Sequence, residues 1–123
     1  AKSDEIYVDL ISTDSTDAQA FNNYAYSLVE RNQDYDLALE LAKISIKLKP
    51  NSAPYLDTIG WIYFKLKDYD KAIKYIKESL AIDSESVVIN EHFNIVIKAK
   101  SEKVLKKNIQ QAVIEDTSKI LLP

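Results

Sequence analysis

The sequence contains no cysteine and no methionine, and it has one glycine and one histidine. Without cysteine there can be no disulfide, no thiolate nucleophile and no cysteine-based zinc site. A single glycine argues against a P-loop, a dinucleotide-binding fingerprint and an all-β chain, because each of these depends on several glycines. One histidine cannot build a multi-histidine metal site. The missing methionine leads us to expect that the 123 residues are a processed or excised part of a longer protein.

Charge is distributed unevenly along the chain. The net charge of −3 argues against a general nucleic-acid-binding protein. Residues 1–40 hold nine acidic and two basic side chains, whereas residues 41–123 hold ten acidic and fourteen basic ones. Five lysines lie between Lys98 and Lys107, which we interpret as a solvated helix face, with a site for an anion or an acidic partner as the alternative. No apolar run approaches the ~18 residues of a membrane span, and no signal-peptide pattern opens the chain.

The sequence repeats itself with an offset of about 34 residues. The tripeptide Asp-Tyr-Asp at positions 34–36 recurs at positions 68–70, and the apolar positions before it recur with an offset of 35. We interpret the chain as one repeat array in which two complete copies are followed by a degenerate copy that caps the array. The predicted units are the second half of a truncated copy at 1–17, copies at 18–52, 53–86 and 87–115, and a tail at 116–123.

Within each copy, apolar residues follow helical spacing. Phe21, Tyr24, Ala25 and Leu28 stand at i, i+3, i+4 and i+7, which is typical of one buried helix face. Although the valines and isoleucines of 87–99 favour a strand, the repeat register favours a helix there. The predicted helices are 3–13, 18–31, 35–48, 53–66, 69–82, 87–99 and 102–115. The predicted N-caps, whose side-chain oxygens accept free amides of the first helical turn, are Asp17, Asp34, Ser52, Asp68 and Ser86.

Small residues are expected where the two helices of a copy approach each other. Gly60 and Ala25 occupy this position in the complete copies, and Asn94 occupies it in the degenerate copy. The second helix of the degenerate copy is predicted to place three apolar residues on the core, namely Leu105, Ile109 and Ala112.

The middle copy carries a family resemblance. Its pattern Leu56-x-x-Ile59-Gly60-x-x-Tyr63 precedes Asp68-Tyr69-x-x-Ala72 and resembles the tetratricopeptide repeat (TPR). The resemblance implies an all-α fold, an α–α superhelix of about seven helices in antiparallel pairs, whose first helices line a concave groove. Members of the family are overwhelmingly non-catalytic binding scaffolds. The style of the repeats also resembles bacterial cytoplasmic scaffolds and envelope lipoproteins, which suggests a bacterial source without choosing between cytoplasm and cell envelope.

The first helix of each copy has a second face, on the side that does not carry the core residues. We predict that these faces form the binding surface. Tyr26 and Trp61 occupy equivalent positions in neighbouring copies, so we expect an aromatic strip with a polar rim, the arrangement of many peptide-binding hot spots. The alternative is that Trp61 and Phe64 pack against a neighbouring helix. The predicted groove residues are Asn22, Asn23, Tyr26, Val29, Glu30, Asp57, Trp61, Phe64, Lys65, Glu91 and Ile95.

These residues predict a protein–protein interaction scaffold that binds a peptide or a partner segment in the groove. The alternative function is a structural module that stacks on other repeats or self-associates through repeat edges or through the apolar tail formed by Ile120, Leu121 and Leu122.

More specific chemistry finds little support in the sequence. Family members that hold chaperone C-terminal tails clamp the terminal carboxylate with lysine and arginine, and the matching positions here include Tyr26, Val88 and His92, which supply no such cations. His92 lies beside an apolar stripe and is interpreted as structural. The Asp-Tyr-Asp acids stand at helix N-termini, where capping explains them. We therefore expect no enzyme activity, catalytic residue, metal site or cofactor.

Overall fold

A computed structural model describes residues 17–121, and every regular element in that range is an α-helix. The predicted helix at 3–13 lies outside the described residues, as does Leu122 of the predicted tail. The five helices are α1 (Ala18–Glu30), α2 (Tyr35–Leu48), α3 (Ala53–Lys65), α4 (Tyr69–Ile82) and α5 (Val87–Leu121). The predicted all-α class is confirmed.

Each described helix begins at the residue predicted from its cap. The side chain of Asp17 accepts a hydrogen bond from the amide of Ala20 at 3.0 Å, and Asp34 accepts one from the amide of Leu37 at 3.1 Å. Ser52, Asp68 and Ser86 cap the remaining three helices in the same way. Because these oxygens satisfy amides that lack a partner within the helix, they fix the five helix starts.

The first two helix pairs are closed by the same turn. Asn32 follows α1 in the left-handed region with φ 53°, and Lys67 follows α3 with φ 65°. In the first turn the amide of Gln33 donates to the carbonyl of Leu28 and the amide of Asn32 donates to that of Val29. This pair of bonds is the Schellman motif, and the turn after α3 repeats it. The short connections let α1 pack against α2, and α3 against α4, as antiparallel neighbours.

The degenerate copy does not turn back. Residues 87–121 form one helix of 35 residues, so the predicted division into helices at 87–99 and 102–115 is wrong. Ser101 stands where the two complete copies have the capping residues Asp34 and Asp68, directly before the predicted helix 102–115. The residues around it, Ala99, Lys100, Glu102 and Lys103, are all good helix formers. The helix therefore continues through the position at which a second helix would start.

The core lies between the helix pairs and ends where the degenerate copy begins to project. Its largest fully buried side chains come from the first four helices and the start of α5, and they include Phe21, Leu28, Leu41, Ile59, Ile62, Ile76 and Val96. Ser79 is also buried, and its hydroxyl donates to the carbonyl of Ala53 at 2.6 Å. This bond connects the end of α4 to the start of α3.

Residues 100–120 of α5 are exposed along their whole length. Leu105 is 59% exposed and Ile109 is 56% exposed, so the prediction that they join the core with Ala112 is wrong. Their spacing suits a core helix, but no turn at residues 99–102 brings them back onto residues 87–99.

Small residues matter only where a second helix is present. A Cβ atom at Gly60 would lie 2.7 Å from Cγ1 of Ile76 and 3.2 Å from the carbonyl oxygen of Ala72, so α4 approaches α3 too closely for a side chain at this position. The equivalent Asn94 is exposed, because α5 has no second helix to cover it.

Candidate functional site

A cavity of about 520 Å³ lies between α1, α3 and the start of α5. Its size falls within the ~300–1,000 Å³ typical of ligand pockets. Of the predicted groove residues, Asn22, Asn23, Tyr26 and Asp57 line it. The other lining residues are Ser27, Pro54, Thr58, Asp83, Ser86, Val88 and Ile89.

Asn22 is buried in the wall of the cavity and lacks one hydrogen bond. Its side chain is 8% exposed, and its Oδ1 atom has no partner. Nearly all buried polar atoms in folded proteins have partners, because an unsatisfied acceptor costs about 1–3 kcal/mol. Asn22 therefore holds an unsatisfied acceptor behind the cavity wall, which a bound donor could satisfy if the side chain turned towards the cavity.

Asp57 and His92 form a buried pair at the same wall. The Nδ1 atom of His92 lies 3.0 Å from Oδ1 and 2.9 Å from Oδ2 of Asp57, and both side chains are buried. The hydroxyl of Thr58, the next residue on α3, donates a hydrogen bond to the carbonyl oxygen of Pro54 at 3.0 Å. The contact with His92 fixes the orientation of the Asp57 carboxylate.

An aromatic stack continues from this pair. The centroid of the Trp61 ring lies 4.0 Å from the centroid of the His92 ring, and the two ring planes differ by 15°. The centroid of the Phe64 ring lies 4.7 Å from that of Trp61. The ring centroids of Phe64 and Tyr69 lie 5.8 Å apart. Nζ of Lys65 lies 5.5 Å from the centre of the Trp61 ring. Trp61 and Phe64 are half-buried and pack against the core. The stack connects the cavity wall to the turn between α3 and α4.

Tyr26 provides the most exposed aromatic surface of the cavity, with 38% of its area accessible. Partial burial raises the pKa of its phenol, and a hydrogen bond to Glu30 together with the negative charges of Glu30 and Asp57 raises that pKa further. The part of this shift that comes from Glu30 and Asp57 reflects their negative charge near the ring, because negative charge disfavours a phenolate.

Other predicted groove residues do not line the cavity. Val29 is 1% exposed and belongs to the core, so its assignment to the ligand surface is wrong. It lies four residues after Ala25 and eight after Phe21, which extends the buried stripe of α1 by one position. Glu30, Glu91 and Ile95 are exposed but do not line the cavity.

Some lining residues lie outside the predicted set. Asp83 and Ser86 come from the turn between α4 and α5, and this turn reaches the cavity because α5 packs against both α4 and α3. The signal available in the sequence was Ser86, the predicted N-cap of the helix that begins at Val87. His92 was interpreted as structural, and the structure pairs it with Asp57, 35 residues earlier in the chain.

The lysine-rich segment borders a second cavity, of about 470 Å³, beside the turn between α3 and α4. Nζ of Lys100 lies 2.6 Å from Oδ1 of Asp70, and this contact lowers the pKa of the Asp70 carboxyl group. Nζ of Lys103 lies 5.5 Å from the centre of the Tyr69 ring. Two of the five lysines thus contact side chains of α4.

Residues 17–121 contain neither a cluster of metal-ligating side chains nor a membrane-spanning helix. That part of the chain brings together no group of three or more histidine, cysteine, aspartate or glutamate side chains. None of its helices is both long and apolar enough to cross a membrane. Asp34 and Asp68 act as helix caps, as their positions predicted.

Comparison with known proteins supports the repeat assignment. Residues 53–86 match the family model of the tetratricopeptide repeat. A TPR repeat-containing protein of Pseudomonas aeruginosa is 31% identical over 71 residues, which cover 58% of this chain and 12% of that protein. The prediction of a tetratricopeptide repeat at residues 53–86 is confirmed, and the bacterial relative agrees with the expected source.

Two solved structures share the fold. Two crystal structures of MamA each give a TM-score of 0.66 at 18% sequence identity. The alignments cover 92% and 83% of this chain, and 63% and 64% of the MamA chains. The chain therefore spans about an eighth of the curated relative and less than two thirds of either MamA chain. Similarity at this identity establishes the fold, an all-α superhelix of helix pairs.

Proposed function

We propose that this tetratricopeptide-repeat protein is a non-catalytic scaffold that binds a peptide segment of a partner protein at the cavity between α1, α3 and α5. Tetratricopeptide repeats generally mediate protein–protein interactions, so the proposal concerns where and how this chain binds. The observation that carries it is the cavity itself, which is lined by the exposed Tyr26, by Asn23 and by Asn22, whose buried Oδ1 atom has no partner. An aromatic anchor surrounded by polar groups suits an extended peptide.

A peptide selected for binding provides the test. A random 12-residue peptide library displayed on phage is selected on the full chain, and the best peptide is synthesised for titration. We expect Tyr26→Ala and Asn23→Ala each to raise its Kd at least about tenfold, because a hot-spot side chain contributes about 1.4 kcal/mol or more.

The matched control is Asn51→Ala. Asn51 is exposed like Asn23 but lies in the turn between α2 and α3, away from the lining residues, so its variant should bind within about twofold of the parent. Failure to select a peptide, or a peptide that tolerates both cavity substitutions, would contradict the proposal.

A second candidate function, self-association, is favoured by the exposed half of α5. Leu105 and Ile109 carry the spacing of a second repeat helix but meet solvent. The first-helix positions that such a helix would cover are also open, since Asn94 is exposed and Ile97 is 37% exposed, whereas their counterparts Gly60 and Tyr63 are buried. Two copies could therefore each supply residues 102–115 to residues 87–99 of the other, which is the geometry of domain swapping.

Sedimentation tests this exchange with two substitutions on opposite sides of one helix. We expect the parent chain to dimerise with increasing concentration and Ile109→Lys to remain monomeric, because a lysine would have to be buried in the dimer. Ile114→Lys is the control, since Ile114 is 52% exposed, close to the 56% of Ile109, and points to the other side of α5. A parent chain that stays monomeric at high concentration, or equal effects of the two lysines, would contradict the exchange.

A further inference from the structure

We infer that the cavity between α1, α3 and α5 receives a cationic side chain, an arginine of the bound peptide. This inference rests on the proposed function and adds the chemistry of the partner. Its basis is the imbalance between acceptors and cations in the cavity wall.

The wall is rich in acceptors. It contains the carboxylates of Asp57 and Asp83, and no lysine or arginine is among its lining residues. The Oδ1 atom of Asn22 is buried in the same wall without a donor. A ligand that brings N–H groups and positive charge would satisfy the amide and compensate the carboxylates, whereas an anionic ligand would meet like charge and find no cation.

One of the acceptors, the Asp57 carboxylate, is held in place before a ligand arrives. Asn22 and Asp57 are both buried on helices, and the contact with His92 fixes the Asp57 carboxylate. A carboxylate has about four acceptor positions, so the pair with His92 leaves capacity for a further donor. Acceptors that are already oriented lose little conformational entropy on binding.

Arginine fits this wall better than lysine. Its planar guanidinium offers five N–H donors in fixed directions, and it stacks on aromatic rings. The cavity provides separate acceptors on α1, on α3 and in the turn before α5, together with the exposed ring of Tyr26. The negative charges of Glu30 and Asp57 act on that ring, so a cation stacked on it would be favoured. An ammonium group, being compact, could reach fewer of these groups at once.

The test uses small probes and does not require an identified partner. N-acetyl-arginine amide is titrated into the full chain labelled with ¹⁵N, in parallel with the lysine and the citrulline analogues, the latter being a neutral shape mimic of arginine. We expect saturable chemical-shift changes at the Asn22 side-chain amide and at Tyr26. Arginine should bind more tightly than lysine, and at least about tenfold more tightly than citrulline.

Substitutions locate the site. Asn22→Leu removes the buried acceptor with little change in volume, and it should weaken arginine binding at least about fivefold. Asp83→Asn removes a charge from an exposed position, where folding is not at risk, and should weaken binding about threefold or more. Glu85→Gln is its control, because Glu85 is an exposed acid of the same turn that does not line the cavity, and its variant should bind like the parent.

The outcomes separate the two proposals. Equal binding of arginine and citrulline, tighter binding of lysine, or equal effects of Asp83→Asn and Glu85→Gln would overturn the assignment of arginine. The proposed function would survive that result if the selected peptide still depends on Tyr26 and Asn23. Conversely, arginine binding at the cavity without any peptide that depends on Tyr26 would overturn the proposed function and leave the cation site in place.

Discussion

Replacement of Asp57 by alanine is expected to lower the free energy of unfolding by about 3 kcal/mol. This value is the upper end of the ~1–3 kcal/mol that an unsatisfied buried hydrogen-bonding group costs. The substitution leaves the buried His92 ring without the carboxylate that lies 2.9 Å from its Nδ1 atom. Urea denaturation monitored by circular dichroism gives the measurement.

The pairing can be separated from general packing by a double-mutant cycle. Asp57→Ala and His92→Ala should together cost about 0.5–3 kcal/mol less than the sum of their separate effects, because either change alone removes the same contact. Asp83→Ala is the control, since this carboxylate lines the same cavity but is exposed, and it should change stability by less than about 0.5 kcal/mol. Additive effects of the first two substitutions would rule out the pairing.

The only tryptophan gives a second signal for the same change. Trp61 stacks on His92 at 4.0 Å, so loss of the partner that orients His92 should alter the fluorescence of Trp61 in the folded state. Because Trp61 is half-buried and not fully enclosed, its emission maximum in the parent chain should lie between those of buried and solvated indoles. An unchanged emission spectrum in Asp57→Ala would indicate that His92 keeps its position without Asp57.

Local chemistry explains why the helix starts could be predicted from the sequence. A cap such as Asp34 acts on an amide three residues away, so the residues that decide the start stand together in the sequence. The repeat register adds long-range information only where every copy keeps its turn. At Ser101 the register predicted the start of a second helix, but the good helix formers on both sides of it favoured continuation, and residues 87–121 form one helix.

The sequence identified cavity-lining residues where the pattern of a single helix face was enough to place them. Asn22 and Tyr26 follow from subtracting the core stripe of α1, whereas Val29 fails because the buried stripe is one position wider than the i, i+3, i+4, i+7 pattern. The pair formed by Asp57 and His92 joins residues of two copies. Their separation is close to the repeat length, but which polar side chains meet across stacked helices depends on packing that spacing alone does not specify.

The contrast between Leu28 and Leu105 tests the largest difference between sequence and structure. Both leucines carry core spacing in the repeat register, yet Leu28 is fully buried and Leu105 is 59% exposed. Leu28→Ala is therefore expected to cost about 2–5 kcal/mol, the range for removing a buried leucine side chain. Leu105→Ala should stay within about 0.5 kcal/mol when unfolding is measured at a dilution where the chain is monomeric.

Measuring the stability cost of both substitutions at several protein concentrations distinguishes burial within one chain from burial between two chains. If two copies exchange residues 102–115, the cost of Leu105→Ala should grow with concentration, because burial of that side chain would then require a second chain. The cost of Leu28→Ala should change much less, since its surroundings lie within one chain. A large cost of Leu105→Ala that does not vary with dilution would mean that residues 102–115 fold back onto residues 87–99 of the same chain, and it would contradict the single helix α5.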